Sequence, residues 1–265
     1  MDPRSPPTPS TLSVAIDGDV AVLTIRRPEK RNALDDTTVK GLARALEDLP
    51  DDVRAAVLHG EGEHFSAGLD LSEVGGDSDV ADGIAHSRMW HRAFEAIQFG
   101  RVPVFAALTG AVVGGGFELA AATHVRVADR TAFFALPEGQ RGIFLGGGGS
   151  VRIPRLVGVA LVQDMMLTGR VLAAEEARAA GACQYVVEPG AAFDTALALA
   201  RKAAKNAPMT NFAILHVLPR TAEADPGTAY LTEALAAAIA QGTPEAKARV
   251  RDFLAKRAAK VARPE

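Results

Sequence analysis

Cysteine is almost missing from this chain: 265 residues contain one, Cys183. An intramolecular disulfide and any cysteine-cluster metal site are excluded, and a reducing compartment, the cytoplasm, is expected. Cys183 stands in Ala-Gly-Ala-Cys-Gln-Tyr with no motif around it and reads as a small buried hydrophobe. An excess of one charge is missing too. The formal net charge is −3, which removes any bulk electrostatic case for nucleic acid. No apolar stretch reaches the roughly 20 residues that a membrane span needs. The longest, residues 102–117, contains Pro103 and runs into Glu118. The Pro-rich opening, residues 1–10, lacks an apolar core, so it reads as a disordered tail and not as a secretory signal. The six histidines show no His-x-x-x-His or carboxylate-paired spacing, so packing or surface roles are expected and no metal site. No Gly-x-Ser-x-Gly elbow surrounds Ser66 or Ser150, and no repeat recurs at solenoid periods.

What is present is ordinary globular material, 48% hydrophobic and 23% charged. Residues 12–16 and 20–25 alternate about Asp17-Gly18-Asp19, which predicts a hairpin. Asp35 or Asp36 caps a helix carrying Val39, Leu42, Leu46 and Leu49 at 3–4 spacing. A buried strand follows over 53–58, then a helix over 84–99, a strand at 103–108 and a helix over 117–122. This alternation predicts an α/β core with a largely parallel sheet. Helices are expected at 159–167 and 172–180, the second stopped by Gly181, before a strand at 185–187. Beyond residue 191 the strand signals cease, leaving helices at 191–206, 209–218, 228–241 and 244–261. The chain therefore divides into an α/β core over 11–205 and a helical module over 206–265, whose alanine-rich faces suit packing between subunits.

Two stretches carry chemistry. In Gly114-Gly115-Gly116-Phe117-Glu118, glycines sit where a strand turns into a helix. They let backbone approach a ligand, and the first helical N–H groups have no intrahelical partner. That combination favours a developing negative charge. Glu118 stands in the first turn, and Glu138 follows twenty positions later, far enough for the chain to return to the same end of the sheet. Glycines before a helix also serve as mere packing turns, and the spacing matches neither a dinucleotide fingerprint nor a phosphate loop. The second stretch, His64-Phe-Ser-Ala67-Gly68-Leu69-Asp70, follows the strand at 53–58 and offers a backbone donor at Leu69. Donors from two loops can converge on one carbonyl oxygen.

Together with Arg27-Pro-Glu-Lys30-Arg31-Asn32-Ala-Leu34, Pro137-Glu138, Gly169-Arg-Val-Leu-Ala-Ala-Glu-Glu-Ala and Phe253-Leu-Ala-Lys256-Arg257, these pieces resemble the enoyl-CoA hydratase/isomerase (crotonase) superfamily over about residues 12–258. The resemblance implies a spiral ββα core and a helical C-terminal part that builds a homotrimer or a dimer of trimers. It also implies an acyl-CoA thioester as substrate, with coenzyme A entering only as part of it and no separate cofactor. Carried over by position, the N–H groups of Leu69 and Gly115 form an oxyanion hole, and Glu118 and Glu138 are the catalytic acids. Lys30 and Arg31 fall beside the CoA phosphates, Ala67, Gly68 and Asp70 beside its adenine end, and Lys256 where a neighbouring subunit reaches CoA. The implied reaction adds water to a 2-trans-enoyl-CoA, and either glutamate can be the protonated one. A double-bond isomerase, an aromatic acyl-CoA hydratase-lyase and a non-catalytic acyl-CoA-binding protein are the alternatives. Leu145, Gly149-Ser-Val-Arg152 and Thr123-His124 depart from the family's usual residues beside the acyl cavity. Trp90, Phe94, Phe117 and Phe144 are either pocket or core, with core favoured for each.

Overall fold

The computed structural model describes residues 4–73 and 79–257, which fall into two units, Met1–Ala204 and Lys205–Glu265. In the first unit the hairpin forms as the alternation predicts, with β1 (Leu12–Asp17) antiparallel to β2 (Val20–Ile25). Helix α1 (Asp36–Glu47) starts at Asp35, whose carboxylate accepts from Thr38 N at 2.7 Å. Then come β3 (Ala55–Gly60), α2 (Val80–Gln98), β4 (Val104–Leu108), β5 (Ala111–Val113) and α3 (Gly115–Ala122). They are followed by β6 (Val125–Asp129), β7 (Phe133–Ala135), α4 (Gly149–Val157), α5 (Val159–Thr168), β8 (Val171–Ala173), α6 (Ala174–Ala180), β9 (Tyr185–Val187) and α7 (Ala192–Ala204).

The strands form two sheets. A six-stranded sheet has the order β1-β2-β3-β4-β6-β9, parallel beyond the hairpin, and a three-stranded sheet has the order β5-β7-β8. Isolated bridges Leu34↔Leu69 and Ser66↔Val112 continue the small sheet. The chain thus repeats one motion: a strand in the large sheet, a shorter stretch in the small one, then a helix. Between the sheets and helices lies an apolar core that includes Leu23, Leu58, Phe65, Phe94, Leu108, Phe117 and Phe134. The other face of the large sheet is covered by α7, which buries an alanine every fourth residue (Ala192, Ala196, Ala200, Ala204) against Val57, Phe105 and Val127.

Several elements differ from expectation. Helix α2 begins at Val80, four residues early, because Asp79 and Asp82 form a reciprocal capping box that outweighs Gly83. The expected helix over 172–180 gives up its start to β8, whose Val171 and Leu172 pair with β7. Of the expected disordered tail, residues 1–3 lie outside the described residues. The rest is seated on α1: Pro6 is buried, and a Cβ on Gly41 would stand 2.9 Å from the Pro9 ring. The tail's apolar content is proline, which packs without losing much chain entropy.

Cys183 is buried as expected, and burial pushes its thiol up to about 11. In the second unit, Pro208–Phe212, a π-helical turn Ala213–Val217 and Leu218–Thr221 run on as one irregular helix before Pro226–Gly242 and Pro244–Leu254. The last helix thus stops short of the expected 261; residues 258–261 lie outside the described residues. No helix among the described residues is long and apolar enough to cross a membrane.

Asn32 holds the loop that leads from β3 into the small sheet. It is fully buried with φ +55, a conformation that asparagine tolerates better than most residues. Its Oδ1 accepts from Arg27 N at 2.9 Å, and its Nδ2 donates to the carbonyls of Glu61 (2.9 Å) and His64 (2.6 Å). Asn32→Ala leaves all three groups without a partner and should cost about 3 kcal/mol, measured by urea denaturation. Asn32→Asp, which turns two attractive contacts repulsive, should cost at least as much; a loss under about 1 kcal/mol in both would reject this account.

Candidate active site

The site is built where β5 turns into α3. Gly114 has φ +53, and a Cβ there would lie 2.7 Å from Glu138 Oε1, so the turn is open only to glycine. Gly115 is the first residue of α3, and its N–H is one of those a helix start leaves without an intrahelical partner. Leu69 forms a parallel bridge with Leu34: Leu34 N donates to Gly68 O at 2.7 Å, and Asp70 N donates to Leu34 O at 2.8 Å. In that pattern the N–H of Leu69 itself faces away from Leu34, on the side of the glycine turn. A Cβ on Gly115 would stand 3.2 Å from Leu69 N, and one on Gly68 would stand 3.1 Å from Gly115 N. The two amides therefore flank one small space that glycine at 68 and 115 keeps clear. Trp90 closes one side of it, with its ring 3.0 Å from the same Gly115 Cβ position.

Glu138 stands beside this turn, and Glu118 lies in the first turn of α3. Glu118 is 4% exposed, and its Oε1 accepts from Gly147 N and Gly149 N, both at 2.8 Å. Burial pushes its carboxyl up; the Gly149 and Gly147 amides and the Arg152 guanidinium oppose that. Since Gly149 opens α4, the carboxylate also meets the positive end of a second helix besides its own. Glu138 is 6% exposed, and its Oε2 is buried without a hydrogen-bond partner. Burial raises it to about 7, with the charge of Glu118 adding to the rise. Glu138 Oε2 has no donor where Glu118 Oε1 has two, yet burial raises both carboxyls, which favours a single shared proton for the pair.

The other sequence-derived residues gather beside Leu69. Lys30 closes a short 3-10 turn and Arg31 follows in a left-handed conformation, its carbonyl accepting from Ala67 N at 2.9 Å. Asp70 is 8% exposed, and its carboxylate takes Arg27 Nη2 (2.7 Å), Lys30 Nζ (2.8 Å) and Ser72 Oγ (2.7 Å). Those contacts hold it well below the usual carboxylate range, Lys30 first among them. Its side chain is thus committed to bracing the loop. Lys256 belongs to the second unit, where it is exposed with φ +58.

Of the aromatic candidates, Trp90, Phe94 and Phe117 are buried, whereas Phe144 is 70% exposed, because its neighbour Leu145 takes the inward position. Ser66 is a bracing residue: its Oγ donates to Asn32 O at 2.8 Å and accepts from Gly68 N at 3.1 Å. Sequence reasoning missed the donors to Glu118; the signal was the Gly146–Gly149 run ahead of Ser150. No cluster of three or more metal-ligating side chains occurs among the described residues.

The family model for enoyl-CoA hydratase/isomerase matches residues 15–260. The short-chain-enoyl-CoA hydratase of Clostridium acetobutylicum is 33% identical over 244 residues, covering 91% of this chain and 93% of that protein. A solved structure from Rhodopseudomonas palustris CGA009, provisionally named an enoyl-CoA hydratase, superposes with a TM-score of 0.91 at 56% identity, covering 93% of this chain and 95% of that one. Pseudomonas aeruginosa DspI superposes with a TM-score of 0.90 at 33% identity over 98% of this chain and 100% of that one.

The buried acid makes stability depend on pH in a defined direction. Unfolding returns Glu138 from about 7 to its ordinary 4.5, so between those values the folded state holds the extra proton. Stability contributed by the neutral acid is present below 4.5 and declines as pH rises toward 7. Glu138→Gln, which cannot ionise, should be more stable than the native protein at pH 8, with the gap closing toward pH 5. Thermal or urea denaturation across that range checks it, and a gap that widens on acidification rejects it.

Proposed function

The chain belongs to the enoyl-CoA hydratase/isomerase family, and from that premise we propose that it adds water across the double bond of a 2-trans-enoyl-CoA to give a 3-hydroxyacyl-CoA. The observation that carries this reading is the placing of two buried acids and two neighbouring backbone amides at one glycine turn. The thioester oxygen lies between the N–H groups of Leu69 and Gly115. As water attacks the β-carbon, charge moves onto that oxygen, and each amide contributes roughly 2.7–4 kcal/mol to the enolate-like transition state. Glu118, whose carboxylate accepts from the Gly147 and Gly149 amides, takes the proton from water. Glu138, neutral near pH 7, delivers a proton to the α-carbon. Two acids at one turn favour hydration over double-bond migration, which one acid can serve.

The coenzyme A end runs past Lys30 and Arg31, which face its phosphates, and along the backbone of Ala67, Gly68 and Asp70 at the adenine end. Lys256 reaches the CoA of a neighbouring subunit. Homotrimers, alone or paired, are built through the second unit. Supporting this, Tyr230, Leu231, Leu235 and Ile239 stand exposed along one helix of that unit. A cavity of about 250 Å³ there is walled mainly by Ile214, Val217, Leu218, Ala236 and Ala237. The single cysteine, buried, fits work in the cytoplasm.

Mixing the protein with short and long 2-enoyl-CoAs should abolish the conjugated thioester absorbance and show which acyl length is preferred. Glu118→Gln and Glu138→Gln should each slow the reaction by on the order of 10²–10⁴ while CoA-ester binding persists. Full turnover in both variants overturns the assignment. Light scattering should return a mass of three or six chains, and a single-chain mass would reject the assembly.

A further inference from the structure

Arg152, on α4, is nine-tenths buried. Its Nη1 donates to Gly147 O at 3.0 Å, and its Nε donates to Gln98 Oε1 at 2.7 Å. Gly147 is the residue whose N–H is given to Glu118, so the guanidinium grips one end of the peptide segment that holds the acid. Gly148, between the two donors, has φ +90, and a Cβ there would lie 2.3 Å from Nη1. The turn is therefore shaped around the guanidinium. Gln98 ends α2, and its carbonyl is tied to His124 Nε2 at 3.0 Å, while His124 Nδ1 accepts from Val104 N at 2.9 Å. One continuous set of hydrogen bonds runs from β4 through His124, Gln98 and Arg152 to Gly147 and Glu118.

We propose that Arg152 is a positioning residue for Glu118, gripping the Gly147–Gly149 turn so that its amides stay aimed at that carboxylate. The proposal deepens the reading of Glu118 as the group that takes the proton from water, and rests on it for its kinetic part. The charged groups involved are few. Glu118 faces Arg152 from α4 and Glu138 from the turn after β7; Arg152 faces Glu118, Glu95 on α2 and Arg155 on its own helix. The guanidinium favours the ionised form of Glu118, whereas Glu138 opposes it. The grip on the turn acts in the same direction, because donors in place stabilise the carboxylate.

The test uses the whole protein with carboxyl-labelled glutamate, following Glu118 by carbon NMR against pH and assigning it with Glu118→Gln. Arg152→Gln should move the Glu118 midpoint upward, while Arg152→Lys, which keeps the charge, should leave it nearer the native position. In turnover of 2-enoyl-CoA, Arg152→Gln should lower kcat by roughly ten- to a hundredfold with KM unchanged, as loss of an outer supporting partner does elsewhere. Its acid limb should follow the NMR midpoint upward, and Arg152→Lys should restore part of both. An unmoved midpoint in Arg152→Gln, with activity falling only in step with the folded fraction, overturns the proposal. Should that variant fail to fold, Gln98→Leu carries the test, with a smaller rise expected and no rise overturning it. The titration needs no turnover, so a native protein inert toward enoyl-CoA would sink the proposed function and leave this result readable.

Discussion

The contact on which the rest depends is the pair of amide bonds from Gly147 and Gly149 to Glu118 Oε1. A carboxylate this deep is costly without donors, and protein dipoles supply them where water cannot. Those two bonds also join α3 to α4 and so fix the start of one helix against the start of the next. The glycine turn at 114–116 is thereby locked to the loop that holds the acid. Glu138 shows what happens without such donors: an equally buried carboxyl with an unpartnered oxygen, raised to about 7. Two identical side chains are thus given different surroundings, one with two backbone donors and the other with an unpartnered oxygen, while burial raises both.

Much of this was legible in the sequence, for reasons that can be named. The hairpin, the Asp35 cap, the strand before the glycines and the helix after them each rest on local rules, and local rules govern those places. The meeting of Leu69 with Gly115 was legible only through the resemblance, because no spacing in the sequence says that the bridge Leu34↔Leu69 turns an amide toward a loop some forty residues on. The small sheet was harder still. Strands such as β5 and β8 are three residues long and carry no period of their own, and they exist because partners in the other strands complete them.

Polar side chains were read least well, since their roles come from tertiary neighbours. Asp70 was expected beside the adenine end of a ligand; what the sequence did not tell is that its carboxylate is engaged with Arg27, Lys30 and Ser72. His124 looked like a departure beside the acyl cavity, but it ties the end of α2 to β4 through both ring nitrogens. Arg152 ends a stretch noted for departures, and it braces the turn that holds Glu118. Each residue was visible; its partner was not.

The lone thiol has a practical consequence. Cys183 is buried, and its thiol is raised to about 11, so almost none of it is thiolate at neutral pH. Alkylating dyes and spin labels should pass the folded native protein by. A cysteine introduced on the surface becomes the single reactive handle, so a chosen position can be labelled without first rebuilding the protein's interior.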